Sequence, residues 1–253
     1  MSTVVFVHAH PDDEAIFSGG TMLALAEAGH RVVLVVATGG ELGLVHDDSS
    51  PLALHRRNEL EVAAELLHVD ALHLLGFTDS GMLGDPANEA AGSFWSTPVD
   101  DATSRLAAVL AAERAEAVVV YDDHGIYGHP DHVQGHRVGL AAADLAGVAC
   151  RYEMTVDREY LHFVETHLVE DAALAGDLGL AGSLIGSASV EVDLTVDVHR
   201  HAATKRAAMA AHVSQLPEHA PVFGLDDAGF AEVYGWEWFL RRGPRGPLDD
   251  LMA

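Results

Sequence analysis

Three runs of consecutive apolar, mostly β-branched residues constrain this chain most. They are residues 3–7 (TVVFV), 31–37 (RVVLVVA) and 117–121 (AVVVY). Runs without polar alternation read as strands covered on both faces. A shorter run at 71–75 adds another, so 117–121 is the fourth strand in chain order. Helix-spaced segments separate them, at 15–28 (stopped by Gly29), 52–67, 99–113 and 131–146. This alternation predicts an α/β chain, Rossmann-like, with a mostly parallel sheet and helices on both faces. After Cys150 the pattern weakens. Residues 190–196 alternate like an antiparallel strand, 198–212 read as a helix, 230–240 as an aromatic-rich closing strand, and 172–186 fit no pattern. A single domain over 1–253 is expected, with a regular core at 1–147 and a less regular, substrate-shaping part at 148–253.

In such sheets the ligand lies beyond the carboxyl ends of the strands, where the strand order reverses. The polar residues of this chain gather there. The first strand runs into His8-Ala9-His10-Pro11-Asp12-Asp13-Glu14, and the fourth leads to Tyr127-Gly128-His129-Pro130-Asp131-His132. His10 and Asp13 are ligand types three residues apart at a helix start. With His129 or His132 from the neighbouring strand they would make a three-ligand site with a position open for water, which suits catalytic zinc. Asp12, pointing elsewhere, is then placed to take a proton from water. Taken singly, an Asp here reads as a helix cap, and a lone His as an ordinary polar residue. Two such turns at equivalent strand ends read as one site. His162, His167, His199, His201, His212 and His219 are scattered and read as surface or packing residues.

Charge and cysteine usage exclude several classes. Fourteen Lys and Arg stand against 39 Asp and Glu, a net charge of −25. Such a surface repels nucleic acid and anionic membranes. No apolar run approaches the about 18–20 residues that span a bilayer. The first residues lack the basic start of a signal peptide. The single cysteine forms no disulfide or thiolate cluster. A cytoplasmic protein is expected. Homo-oligomers are common, but no feature sets a subunit number. No G-x-G-x-x-G follows the first strand, so no dinucleotide is expected.

HAHPDDE at 8–14 and YGHPDH at 127–132 together resemble the two signature motifs of the PIG-L/LmbE-like deacetylase family. Arg56-Arg57-Asn58-Glu59-Leu60 is similar to its R-x-x-E-L, and Asp79-Ser80-Gly81-Met82 to the D-S-G-M of its mycothiol branch. Residues 205–215 (KRAAMAAHVSQ) also look like that branch. The resemblance covers about residues 1–145. It implies a zinc-dependent hydrolase that removes an N-acetyl group from an amino sugar or its glycoside conjugate. His10, Asp13 and His132 would bind one zinc per chain, with Fe2+ or another divalent ion as the alternative. Asp12 would be the general base. His129, oriented by Asp131 and kept protonated, would stabilise the oxyanion and protonate the amine, and Tyr127 would touch the tetrahedral intermediate. Arg56 and Asp79 would bind substrate hydroxyls or a phosphate-like group. Three other readings stand beside it. One is an amidase of mycothiol conjugates. Another is a non-haem iron oxygenase, whose two-His-one-carboxylate triad uses the same residue types. The last is a non-catalytic metal-binding module.

Overall fold

The three long apolar runs form strands buried on both sides, whereas the shorter run at 71–75 forms an edge strand with Leu74 exposed. The computed structural model describes residues 1–44, 51–167, 185–216 and 224–252. β1 (Thr3–His8) leads into two short helices, α1 (Asp13–Phe17) and α2 (Gly19–Glu27). β2 (Arg31–Thr38), α3 (Leu52–Leu66) and β3 (Ala71–Phe77) follow. Then come α4 (Val99–Glu113), β4 (Ala117–Tyr121), the four-residue α5 (Gly125–Gly128), α6 (Pro130–Ala146) and β5 (Cys150–Thr155). α7 (Arg158–His167), β6 (Leu194–Asp197), α8 (Ala202–Ala211), α9 (Asp227–Tyr234) and β7 (Trp236–Arg241) complete the described elements. The seven strands make one sheet in the order β3-β2-β1-β4-β5-β7-β6. The first five are parallel. β7 runs antiparallel to both β5 and β6.

Alternate residues of each central strand feed different cores. Val4, Phe6, Leu34 and Val36 pack with Leu60, Met209 and Phe230 on one face. Val5, Val7, Val33 and Val35 pack with Leu106, Leu110 and Val138 on the other. The period of two therefore separates two apolar cores, which is why the sequence shows continuous runs. Among the described residues, no helix is long and apolar enough to cross a membrane.

The C-terminal part departs from the sequence reading in detail. β5 went unread because Arg151 and Glu153 interrupt its apolar character. Glu153 is nonetheless buried, with Arg242 Nη2 at 2.9 Å. The expected strand at 230–240 is a helix followed by a strand. Asp226 accepts the N–H of Gly229 to start α9, which buries Phe230, and β7 begins only at Trp236. The alternating stretch at 190–196 begins with a 3-10 turn, and only its end lies in β6. The helix expected at 198–212 begins with another such turn, before α8. Residues 168–184, most of the stretch that fitted no pattern, lie outside the described residues, as does His219.

The helix expected at 15–28 is broken at Ser18. Glu237 of β7 causes the break by accepting the N–H groups of Gly20 (2.8 Å) and Thr21 (2.7 Å), which starts α2 afresh. A carboxylate is well placed at a helix N-terminus, where free N–H groups and the helix dipole meet it. Lys205 Nζ lies 2.7 Å from the same Glu237, and both side chains are about 1% exposed. Removing one member of such a pair leaves an uncompensated buried charge. Lys205→Met is expected to cost about 3–5 kcal/mol. It should appear as a lower urea midpoint at unchanged slope, with part of the loss recovered when Glu237→Gln is added.

Candidate active site

The pairing of β1 with β4 brings the two histidine-bearing turns together. Asp13 lies at the centre. Its Oδ2 accepts the His10 N–H (3.0 Å) and the Tyr121 hydroxyl (2.6 Å). The same oxygen lies 3.4 Å from both His10 Nδ1 and His132 Nε2. Burial alone would raise the Asp13 carboxyl, but His132 and His10 outweigh it and hold it well below the carboxylate range. His132 is fully buried, and neither ring nitrogen has a hydrogen-bond partner. Its ring stacks on Tyr121 at 4.1 Å between centroids. His10, His129 and His132 each offer a ligand atom within 4.8 Å of the others, and His10, Asp79 and Asp131 form a second such group. An orphaned buried imidazole beside a shared carboxylate oxygen fits a cation-binding donor set. These residues form a His/Asp metal-binding group.

Asp12 has an unusual backbone, with φ 107 at the N-cap of α1. A non-glycine residue rarely adopts this region, and such strain concentrates at functional sites. Its side chain makes no cap hydrogen bond. The carboxylate is a quarter exposed and lies 3.1 Å from Arg56 Nη2. Burial pushes it up to about 6, against the pull of Arg56.

Arg56 is buried, whereas Arg57 is exposed and pairs with Glu61. Arg56 donates to the carbonyls of Gly40 (2.8 Å) and Pro11 as well as to Asp12. A Cβ at Gly40, where φ is 65, would lie 2.2 Å from Arg56 Nη1, so the glycine is needed for this guanidinium. Asp79 likewise faces the protein. It accepts the N–H groups of Gly81 (2.8 Å) and Leu42 (3.3 Å), and His10 Nε2 lies 3.5 Å away. Both residues expected to bind substrate thus have protein partners that hold the floor of the site.

The second turn also differs from expectation. Asp131 does not orient the His129 imidazole through its carboxylate. Its Oδ2 accepts the Ser80 N–H (2.9 Å) and faces His10 Nε2 at 3.2 Å. His129 is instead the N-cap of α6, its Nδ1 accepting the Asp131 N–H at 3.2 Å. That bond leaves Nδ1 without a proton, so the ring carries its proton on Nε2. Burial first, then His10 and His132, pushes His129 down to about 2, which disfavours the cation expected from the sequence. Tyr127 follows Ile126, which is strained at φ 62, and its ring lies 4.9 Å from that of His132.

Sequence reasoning missed Tyr121, Glu14, Ser80 and His212. Tyr121 was read only as the end of a strand, although a polar group at a strand's carboxyl end is the relevant signal. His212, taken as scatter, is buried with its Nε2 2.6 Å from Glu14 Oε1. His8 is structural. It reaches Ser18 Oγ at 2.9 Å, and burial pushes it down to about 4, leaving it neutral at neutral pH.

A family model for GlcNAc-PI de-N-acetylases, PIG-L, matches residues 5–143, more than half the chain. The chain belongs to the PIG-L family. A 1D-myo-inositol 2-acetamido-2-deoxy-alpha-D-glucopyranoside deacetylase from Streptomyces griseus is 38% identical over 250 residues, covering 88% of this chain and 78% of the relative. The PIG-L chain is an N-deacetylase, an amidohydrolase. Solved structures show the same fold. N,N'-diacetylchitobiose deacetylase from Pyrococcus horikoshii gives a TM-score of 0.60 at 21% identity, covering 95% of this chain and 83% of that one. The 4-carboxy-2-hydroxymuconate hydratase GalB from Pseudomonas putida gives 0.64 at 16%, covering 97% and 98%. One architecture thus hosts different reactions, and the chemistry must be argued from the site. The parallel α/β sheet and the family membership leave no support for the oxygenase reading.

Arg56→Ala would leave two carbonyls and Asp12 without their buried cation. We expect a loss of about 3 kcal/mol in chemical denaturation. Arg56→Lys should recover only part of it, because one ammonium cannot reproduce the fork of a guanidinium.

Proposed function

We propose that this PIG-L chain hydrolyses the acetamide of an N-acetylglucosaminyl glycoside, giving acetate and the free amino sugar. The glucosaminyl-inositol named for the Streptomyces relative is the first candidate substrate. The observation that carries the reading is Asp13 Oδ2, 3.4 Å from both His10 and His132, with Asp12 next in sequence. His10, Asp13 and His132 would hold the cation, and the nitrogen-and-carboxylate donor set favours zinc. When bound, such an ion acidifies water and polarises the amide carbonyl.

The chain's own groups do the rest. Asp12, partly exposed and kept beside Arg56, takes a proton from the attacking water as oxygen adds to the carbonyl carbon. His129 presents its Nε2–H as a neutral donor to the oxygen on which charge develops, with its tautomer fixed by the Asp131 N–H. As the C–N bond breaks, Asp12 passes its proton to the nitrogen. This gives Asp12 both proton transfers, because a neutral imidazole has no proton to spare for the amine. Tyr127, beside His132 and His129, is placed to contact the tetrahedral adduct. Asp131 acts on His10. The ring's Nδ1 faces Asp13, and its Nε2–H is held by the Asp131 carboxylate, the outer-shell partner that a ligating histidine commonly has.

The test is amine release from the acetylated glucosaminyl-inositol and from a panel of N-acetylated sugars, with zinc-loaded protein. Asp12→Ala is expected to lower kcat by about 10²–10⁴-fold, and chelation should abolish turnover. Undiminished activity in either case overturns the reading. Cleavage of a thiol conjugate in place of the acetyl glycosides would assign the chain as a conjugate amidase. Asp131→Asn is expected to weaken zinc binding about 10–100-fold in competition with a chelator. A change in kcat alone would return Asp131 to His129.

A further inference from the structure

We infer that His212 is a positioning residue for Asp12, acting through Glu14. The inference rests on the reading of Asp12 as the proton-transferring carboxylate. Its geometric basis is a single peptide unit. Arg56 Nη2 donates to the Pro11 carbonyl, and Glu14 Oε2 accepts the Asp12 N–H at 2.9 Å. Those two groups are the polar ends of the Pro11–Asp12 peptide bond. With both ends held, the peptide plane is set, and Asp12 keeps its φ of 107.

The grip on the N–H end needs a second partner. Glu14 is fully buried, and a carboxylate in that setting requires a donor or a cation. His212 supplies it, with Nε2 2.6 Å from Oε1 and 1% exposure. Holding one carboxylate oxygen fixes the plane of the other, which is the oxygen that meets Asp12. The contact spans 198 positions in sequence and is not a by-product of local helix packing.

His212 is also held from its own side. Ser214 donates through its N–H (2.8 Å) and its Oγ (2.7 Å) to Glu59. Gln215 brackets the main chain of Leu44, accepting its N–H at 3.0 Å and donating to its carbonyl at 3.1 Å. These anchors persist when the imidazole is replaced, so the segment stays seated and the effect of the ring can be isolated.

The experiment compares wild type, His212→Phe and His212→Gln. Phe keeps an aromatic ring and loses the donor, whereas Gln retains an N–H within reach of Glu14. His212→Phe is expected to lower kcat about 10²-fold, the scale of a small misplacement of a reacting group. KM should stay within about twofold, with zinc content as in wild type. His212→Gln should restore most of kcat. A crystal structure of His212→Phe should show Asp12 relaxed to negative φ. Unchanged kcat in His212→Phe, a loss that Gln does not rescue, or Asp12 still at its positive φ would overturn the inference. If wild type releases no amine from any acetylated glycoside, the functional reading fails, and the Asp12 backbone in His212→Phe alone decides this one.

Discussion

The site depends on β1 lying beside β4. Their parallel pairing, Val4 with Ala117 through Phe6 with Val119, sets two strand ends side by side although more than a hundred residues separate them in sequence. From one end come His10 and Asp13, and from the other Tyr121, His129 and His132. The Tyr121 hydroxyl, donating to Asp13 and accepting the Ala9 N–H at 2.8 Å, joins the two ends directly. A slip of one residue in this register would turn Tyr121 to the opposite face. Asp13 would then lose its shortest donor, and His132 the ring on which it stacks.

The second constraint is charge. Asp13, Glu14, Asp79 and Asp131 are buried within one small volume, with Asp12 at its edge. Bringing carboxylates out of water is costly unless each finds donors. Here the donors are specific. Backbone N–H groups serve Asp79, Asp131 and Asp13, His212 serves Glu14, and Arg56 serves Asp12. His10 stands between three carboxylates. Burial would lower its pKa, but Asp13, Asp131 and Asp79 together raise it well above the usual value. The strained backbones of Asp12 and Ile126 are also held by hydrogen bonds, from carboxylates nearby in sequence and from distant donors: Arg56 meets the Pro11 carbonyl, and the Gly186 N–H meets the Ile126 carbonyl at 2.7 Å. Asp122 Oδ1 accepts the Ile126 N–H at 2.6 Å.

The C-terminal part acquires a purpose on this view. It extends the sheet through β7 and β6 and sends two side chains, Glu237 and His212, back to the first seventh of the chain. Glu237 starts α2, Lys205 balances Glu237, and His212 balances Glu14. The break at Ser18 matters because it separates α1, which begins at the Asp12 and Asp13 carboxylates, from α2, which is buried over Gly19 to Leu25. Each helix can then meet its own partner.

Much of this was legible in the sequence because it follows from local physics. Continuous β-branched runs at 3–7, 31–37 and 117–121 specify strands covered on both faces, and strand–helix alternation specifies a parallel sheet. Polar residues at two strand ends mark the candidate site, and residue chemistry alone offered His10 and Asp13 with either His129 or His132 as metal-ligand types. The sequence could not say which buried group answers which. Asp131 lies two residues from His129 in the chain, yet it faces His10, because the first residues of α6 turn successive side chains in different directions. Arg56 reads as a substrate anchor in the sequence, which gives no sign of its bonds to the Gly40 and Pro11 carbonyls. His212 looks like scatter because its partner is 198 positions away. Local sequence determined the elements and the reactive residue types. Tertiary structure alone decided the pairing of buried charges, since that pairing is set by the distances between elements and not by any spacing along the chain.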